Sequence, residues 1–184
     1  RPEAGVMSLH YRPVDRLFAA RSGTSHAAPL VAFKASQILA HFPDSSANLV
    51  RALLAGSASI PGEASLRLAP LGNPAEIALC GHGRVDSERA AFSDDARVVL
   101  YAEDELAIDH FAVYQIPIPE PFQTERGRRT IRVSLAYDPP VKHSRLDYNG
   151  LSIGFRLIRG CDADKVFEQY RQRAQAEGPV PDME

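Results

Sequence analysis

The chain has 184 residues and a mass of 20.1 kDa, with 45% hydrophobic and 24% charged side chains, the balance of a globular protein with a sizeable core. That excludes a disordered tail, a collagen-like repeat and a coiled coil. Twenty-one basic against 23 acidic residues leave a net charge of −2, so no strong field favours a nucleic-acid or membrane partner.

Arg1-Pro2-Glu3-Ala4 carries neither an initiator methionine nor a signal segment and reads as an internal cut in a longer protein. Residues 1 to about 24 are short and mixed, with Leu17-Phe18-Ala19-Ala20 the one strand-like piece. From Ser25 to His41 the apolar positions Ala27, Leu30, Val31, Ile38 and Phe42 recur at helical spacing. Pro29 is expected near the beginning of that helix, where a missing N–H costs little. The longest nearly apolar run, Ala27 to Phe33, is too short to span a bilayer. Pro43 stops the helix. Asp44, Ser45 or Ser46 can cap a second one running to about Ala55, with Leu49, Val50, Leu53 and Leu54 inward and Gly56 closing it. Pro61, Gly62, Pro70, Gly72, Asn73 and Pro74 punctuate residues 57–81, which predicts a surface excursion with little regular structure. Gly83-Arg84-Val85-Asp86 then leads into a short helix at Ser87-Glu88-Arg89-Ala90.

After Asp95 the period changes from helix to strand. Val98 to Tyr101 and Phe111 to Ile116 are candidate strands, and Ile131 to Leu135 and Leu151 to Leu157 alternate strictly. Pro117, Pro119, Pro121, Pro139-Pro140 and Asn149-Gly150 mark the connections. The pattern predicts an antiparallel β-sandwich from about 95 to 160, then a helix from Asp162 to Ala176 that docks through Val166, Phe167 and Tyr170, and a frayed end from Gly178 to Glu184. The expected class is α+β, in three parts: residues 1–94, 95–160 and 161–184.

One stretch carries chemistry: Ser22-Gly23-Thr24-Ser25-His26-Ala27-Ala28-Pro29-Leu30-Val31-Ala32. A serine in the first turn of a helix sits among unpaired N–H groups at the positive end of the helix dipole, which favours the anion that develops when its oxygen attacks a carbonyl. The alternative is an ordinary helix-capping serine. The stretch resembles the catalytic-serine segment of the subtilisin-like serine proteases (subtilases), G-T-S-x-A-A-P-x-V-A. Gly23, Thr24, Ser25, Ala27, Ala28, Pro29, Val31 and Ala32 match it, a coincidence on the order of 10⁻⁷ per starting position. The second helix resembles the one that packs beside the serine helix in that family. Gly81-His82-Gly83-Arg84-Val85-Asp86 is similar to its G-x-G-x-V-D segment. Leu135-Ala136-Tyr137-Asp138-Pro139 resembles a strand end in the jelly-roll-like sandwich that many larger members append.

The resemblance implies that residues 1–94 are the carboxy-terminal part of an α/β catalytic domain and that Ser25 is the nucleophile. It implies peptide or protein substrates and no cofactor. Family members run Asp, His, Ser along the chain, in D-[ST]-G and H-G-T-H segments that are absent here, as is the upstream oxyanion asparagine. Only 24 residues precede Ser25; they offer His10 and Asp15 in the wrong order and context. His26 is adjacent to Ser25 and does not face it on a helix. The chain is therefore expected to be nearly inactive alone, with its base and orienting carboxylate on the missing amino-terminal part. Without that part, Ala27, Leu30, Val31 and Ile38 would leave an apolar stripe in water, so the chain is expected to self-associate, swap elements or stay bound to the rest of the enzyme. Most of the family is secreted, but nothing here separates that from the cytosol; an Ala- and Arg-rich composition fits a bacterial source.

Other constellations fail. Ala27 breaks a G-x-S-x-G elbow, no S-x-x-K exists, and without H-E-x-x-H or C-x-x-C no transition-metal site is expected. Cys80-Gly81-His82 reads as a turn, Asp162 and Asp164 as a solvated helix start rather than a calcium pair, and Arg126, Arg128 and Arg129 as a wet hairpin tip. Cys80 and Cys161 leave one disulfide open. A second reading makes the carboxy-terminal part a binding or stabilising module and the Ser25 helix a passenger.

Overall fold

The computed structural model describes residues 5–141 and 151–177. The chain divides into two compact units, residues 1–101 with 132–138, and residues 102–131 with 139–184. Among the described residues the architecture is mixed, with seven α-helices and one two-stranded sheet. None of those helices is long and apolar enough to cross a membrane.

The first unit opens with β1 (Val6–Leu9) paired antiparallel to β2 (Phe18–Arg21), Val6 opposite Arg21 and Leu9 opposite Phe18. β2 falls on the expected strand-like piece; β1 was not expected, although Val6-Met7-Ser8-Leu9 is a short apolar run before a proline-bearing loop. α1 (Thr24–His41) ends where Phe42 N–H closes on the Ile38 carbonyl at 3.0 Å and Pro43 forbids another turn. Ser46 then caps α2 (Ala47–Ser57), its hydroxyl accepting from Leu49 N–H at 3.1 Å. A short α5 (Ser87–Ala91) is capped by Asp86, whose carboxylate accepts from Arg89 N–H at 3.1 Å. These three helices enclose the core, Ile38, Leu49, Leu53 and Ala90, flanked by Phe42, Leu54 and Val99. Of the predicted apolar stripe on α1, Ile38 is buried there, whereas Leu30 and Val31 stay exposed.

Two expectations for this unit are corrected. Gly56 does not close α2, which continues to Ser57. It is a close-approach glycine instead: a carbon added there would lie 3.2 Å from Ser134 Oγ. Residues 57–81 are not irregular. They form α3 (Gly62–Leu68), a 3₁₀ turn (Ala69–Leu71) and α4 (Asn73–Cys80). Pro61 is the N-cap of α3, while Pro70 and Pro74 occupy the opening positions of the next two elements, where no N–H is needed. The prolines punctuate helices rather than abolish them. After α4 the chain returns to α2: Ser59 and Arg84 exchange backbone hydrogen bonds of 3.0 and 2.9 Å, and Gly83, at φ 95°, brings its backbone so close to Ser59 that any side chain would collide.

No β-sandwich is seen among the described residues. Between 95 and 160 no strand exists among the described residues; Asp94 and Arg97 form an isolated antiparallel bridge, and Val141 is a single bridge residue. Alternation sorts side chains onto two faces, but only a hydrogen-bonded neighbour makes a strand, and none is seen for these segments among the described residues. Pro119 and Pro121 instead start α6 (Glu120–Thr124) in the second unit. Arg129 folds back onto its carboxy-terminal end, donating to the carbonyls of Gln123 and Glu125 and lying over the Phe122 ring. It is a helix cap rather than part of a hairpin tip. α7 (Ala163–Glu177) forms as expected, with Val166 buried and Phe167 and Tyr170 against Phe111 at ring distances of 5.4 and 4.9 Å. Asn149-Gly150 and Gly178 to Glu184 lie outside the described residues. Cys80 and Cys161 are both free.

Candidate active site

The site is built from the β2-to-α1 connection. β2 ends at Arg21; Ser22 and Gly23 turn the chain, and Gly23 becomes the N-cap of α1. Its carbonyl accepts from His26 N–H at 3.0 Å and Ala27 N–H at 3.2 Å. Ser25 is thus the second residue of the helix, and it is exposed. Its own N–H precedes the first donors that find an acceptor, those of His26 and Ala27, and no acidic side chain of that turn offsets the helix dipole.

Pro29 lies deeper than the sequence reading placed it. It is the sixth residue of α1, past the first turn, so its missing N–H is the one that would have bonded the Ser25 carbonyl. The Ser25 peptide unit is therefore released from the regular helical ladder on both sides. His26 is half-buried, with Cδ2 4.0 Å from where a Gly23 side chain would begin.

No catalytic triad assembles among the described residues, and none of their side chains hydrogen-bonds Ser25 Oγ. His10 Nδ1 is held by Arg12 N–H at 3.2 Å within the loop between β1 and β2, and Asp15 N–H bonds the Arg12 carbonyl. His41 packs edge-on against Phe92, and His110 Nδ1 sits 2.7 Å from the Ile108 carbonyl. His143 lies outside the described residues. No group of three or more His, Cys, Asp or Glu capable of holding a metal occurs among the described residues.

Two polar connections elsewhere in the first unit were not foreseen. Ser87, at the start of α5, is buried; its hydroxyl donates to Gln37 Oε1 at 2.8 Å and accepts from Lys34 Nζ at 3.3 Å, tying α5 to α1. Gln37 and Lys34 are spaced i, i+3, which puts both on one face of α1 and could have flagged the pair. Residues 132–138 return to α2, where Arg132 Nη1 donates to the carbonyls of Gly56 and Ala58, and Arg51 pairs with Asp138 at 3.0 Å.

No solved structure matches the chain. A protein of Sinorhizobium fredii (strain NBRC 101917 / NGR234), named "Uncharacterized protein y4bN", is 61% identical over all 184 residues. The chain spans 43% of that relative's length. Residues 3–83, the stretch that contains β1, β2, the Ser25 turn and α1 to α4, match the Subtilase family.

Proposed function

We infer that the chain is part of a subtilisin-like serine endopeptidase and that Ser25 is its nucleophile. One observation carries the reading: the serine of a G-T-S-x-A-A-P sequence stands exposed in the first turn of α1, inside the stretch that matches the Subtilase family. Ser25 Oγ attacks the scissile carbonyl of a peptide while its proton passes to a histidine on polypeptide outside this chain. The carbonyl electrons move onto oxygen, and the Ser25 N–H stabilises that oxyanion at the positive end of the helix. Collapse expels the amine, protonated by the same histidine, and water then hydrolyses the acyl-enzyme. No cofactor takes part. The exposed apolar side chains of α1 are the surface against which the remaining polypeptide packs.

The test is active-site labelling of the longer protein with a fluorophosphonate. Labelling of the native protein and its loss in Ser25→Ala supports the assignment; equal labelling of both removes Ser25 from the chemistry. The 184-residue chain alone should react several orders of magnitude more slowly, because no described side chain hydrogen-bonds Ser25 Oγ as a base would.

The grip of residues 132–138 on α2 favours a second reading, in which the carboxy-terminal part is a stabilising module and the serine is vestigial. The encoded upstream sequence discriminates: D-[ST]-G and H-G-T-H segments support the protease, and their absence supports the stabilising module.

A further inference from the structure

Residues 132–138 form a strap with two unlike faces. Arg132 and Asp138 anchor its ends to α2, and Ser134 and Ala136 between them are half-buried. The intervening Val133, Leu135 and Tyr137 are 40, 45 and 39% exposed, a period of two that belongs to an extended chain. The apolar row therefore points away from the helix that holds the strap. Among the described residues, 131–140 take part in no strand pairing and no backbone hydrogen bond reaches the strap, which offers its donors and acceptors as a template for another strand.

The strap is complementary to itself when run antiparallel. Centred on Leu135, such a pair sets Arg132 against the partner's Asp138, Val133 against the partner's Tyr137, and Leu135 against its own counterpart. Opposite charges and aromatic–β-branched neighbours are the favourable cross-strand combinations. Arg132 and Asp138 are the only charged residues of the strap, so every other antiparallel register loses the charge match, and an in-register parallel pair sets like charges side by side. Arg132 engages α2 through Nη1 and Asp138 engages Arg51 through Oδ1, which leaves each a second terminal atom for the partner. We propose that two copies of this chain associate by antiparallel pairing of residues 132–138 about a twofold axis at Leu135. Such an interface is isologous and closes at a dimer. It does not depend on the role of Ser25.

Sedimentation equilibrium of the 184-residue chain should show a reversible monomer–dimer equilibrium. Leu135→Asp places like charges together on the axis and should weaken the dimer at least about tenfold, with the far-ultraviolet circular dichroism unchanged because Leu135 is exposed. Register is tested by oxidation in a C80S/C161S background. Residues directly opposite lie about 4.5–5.5 Å apart at Cα, within disulfide reach, so Leu135→Cys should cross-link to itself. Val133→Cys and Tyr137→Cys should each fail alone, about 13 Å from their own counterparts, and cross-link when mixed. A chain that stays monomeric to about 100 μM, a dimer indifferent to Leu135→Asp, or equal self-cross-linking at all three positions overturns the proposal. An association lost instead on Val31→Asp would place the contact on α1 and overturn it equally.

Discussion

Ser87 is 7% exposed, and its hydroxyl serves two partners at once, Gln37 and Lys34. Ser87→Ala leaves both reaching for a missing atom in a part-buried place and should cost about 1–3 kcal/mol, read as a lower denaturant midpoint with an unchanged slope. Ser25→Ala, also at a helix start, should shift the same midpoint by less than about 0.5 kcal/mol, because the residue is exposed and no described side chain bonds it. A residue without structural work whose replacement abolishes labelling is one retained for chemistry, so the two serines separate the roles. Asp94 offers a residue-scale pH test. The Ala96 N–H at 3.0 Å and the Arg97 guanidinium at 3.1 Å hold its carboxyl below the ordinary value of 3.8. A depressed carboxylate contributes stability above its unfolded pKa and loses it as pH falls through the folded one. The Ala96 amide resonance should therefore titrate with a midpoint below 3.8, and Asp94→Asn should remove that titration.

At the scale of elements, α2 depends on a residue 76 positions from its last glycine. The Arg132 guanidinium covers the carbonyls of Gly56 and Ala58 at the negative end of the helix dipole. Arg132→Ala should lower protection of the last turn of α2 against hydrogen exchange by about 1 kcal/mol, while the Ser46-capped first turn keeps its protection. Nothing near Gly56 in sequence announces this, which is why that glycine reads as a stop. Helix boundaries were legible wherever the signal is local: Pro43, Ser46 and Asp86 each act within four residues of where they stand. Pro61, Pro70 and Pro74 misled because a proline looks the same between helices as at the first position of one. The alternation at 131–135 predicts a buried apolar face, whereas Ile131, Val133 and Leu135 are the exposed side chains and Ser134 the half-buried one. It misled as to fold, because which strand lies alongside is not written in the strand itself. The candidate site divides the same way: Gly23 to Pro29 is a contiguous motif and could be read, whereas the Ser87 node and the Arg132 cap join residues 50 to 76 apart, and only the α1 half of the node, Lys34 and Gln37, leaves a local trace.

The burial deficit that bears on the site lies on α1, where Leu30, Val31 and Phe33 are 44–60% exposed although the helix is rich in apolar residues. Covering the remaining surface of those three side chains would contribute about 3 kcal/mol, roughly a hundredfold in a local opening constant. If the Ser25 helix belongs to a larger catalytic domain, the amino-terminal half of α1 should exchange its amide hydrogens about a hundredfold more slowly in the longer polypeptide than in the 184-residue chain. The carboxy-terminal half, around Ile38, already packs against α2 and α5 and should change much less. Equal rates for residues 24–33 in the two forms would mean that the rest of the protein does not cover α1. The oxygen of Ser25 would then have no neighbouring wall to carry a base, and the stabilising role of residues 132–138 would be the better account of the chain.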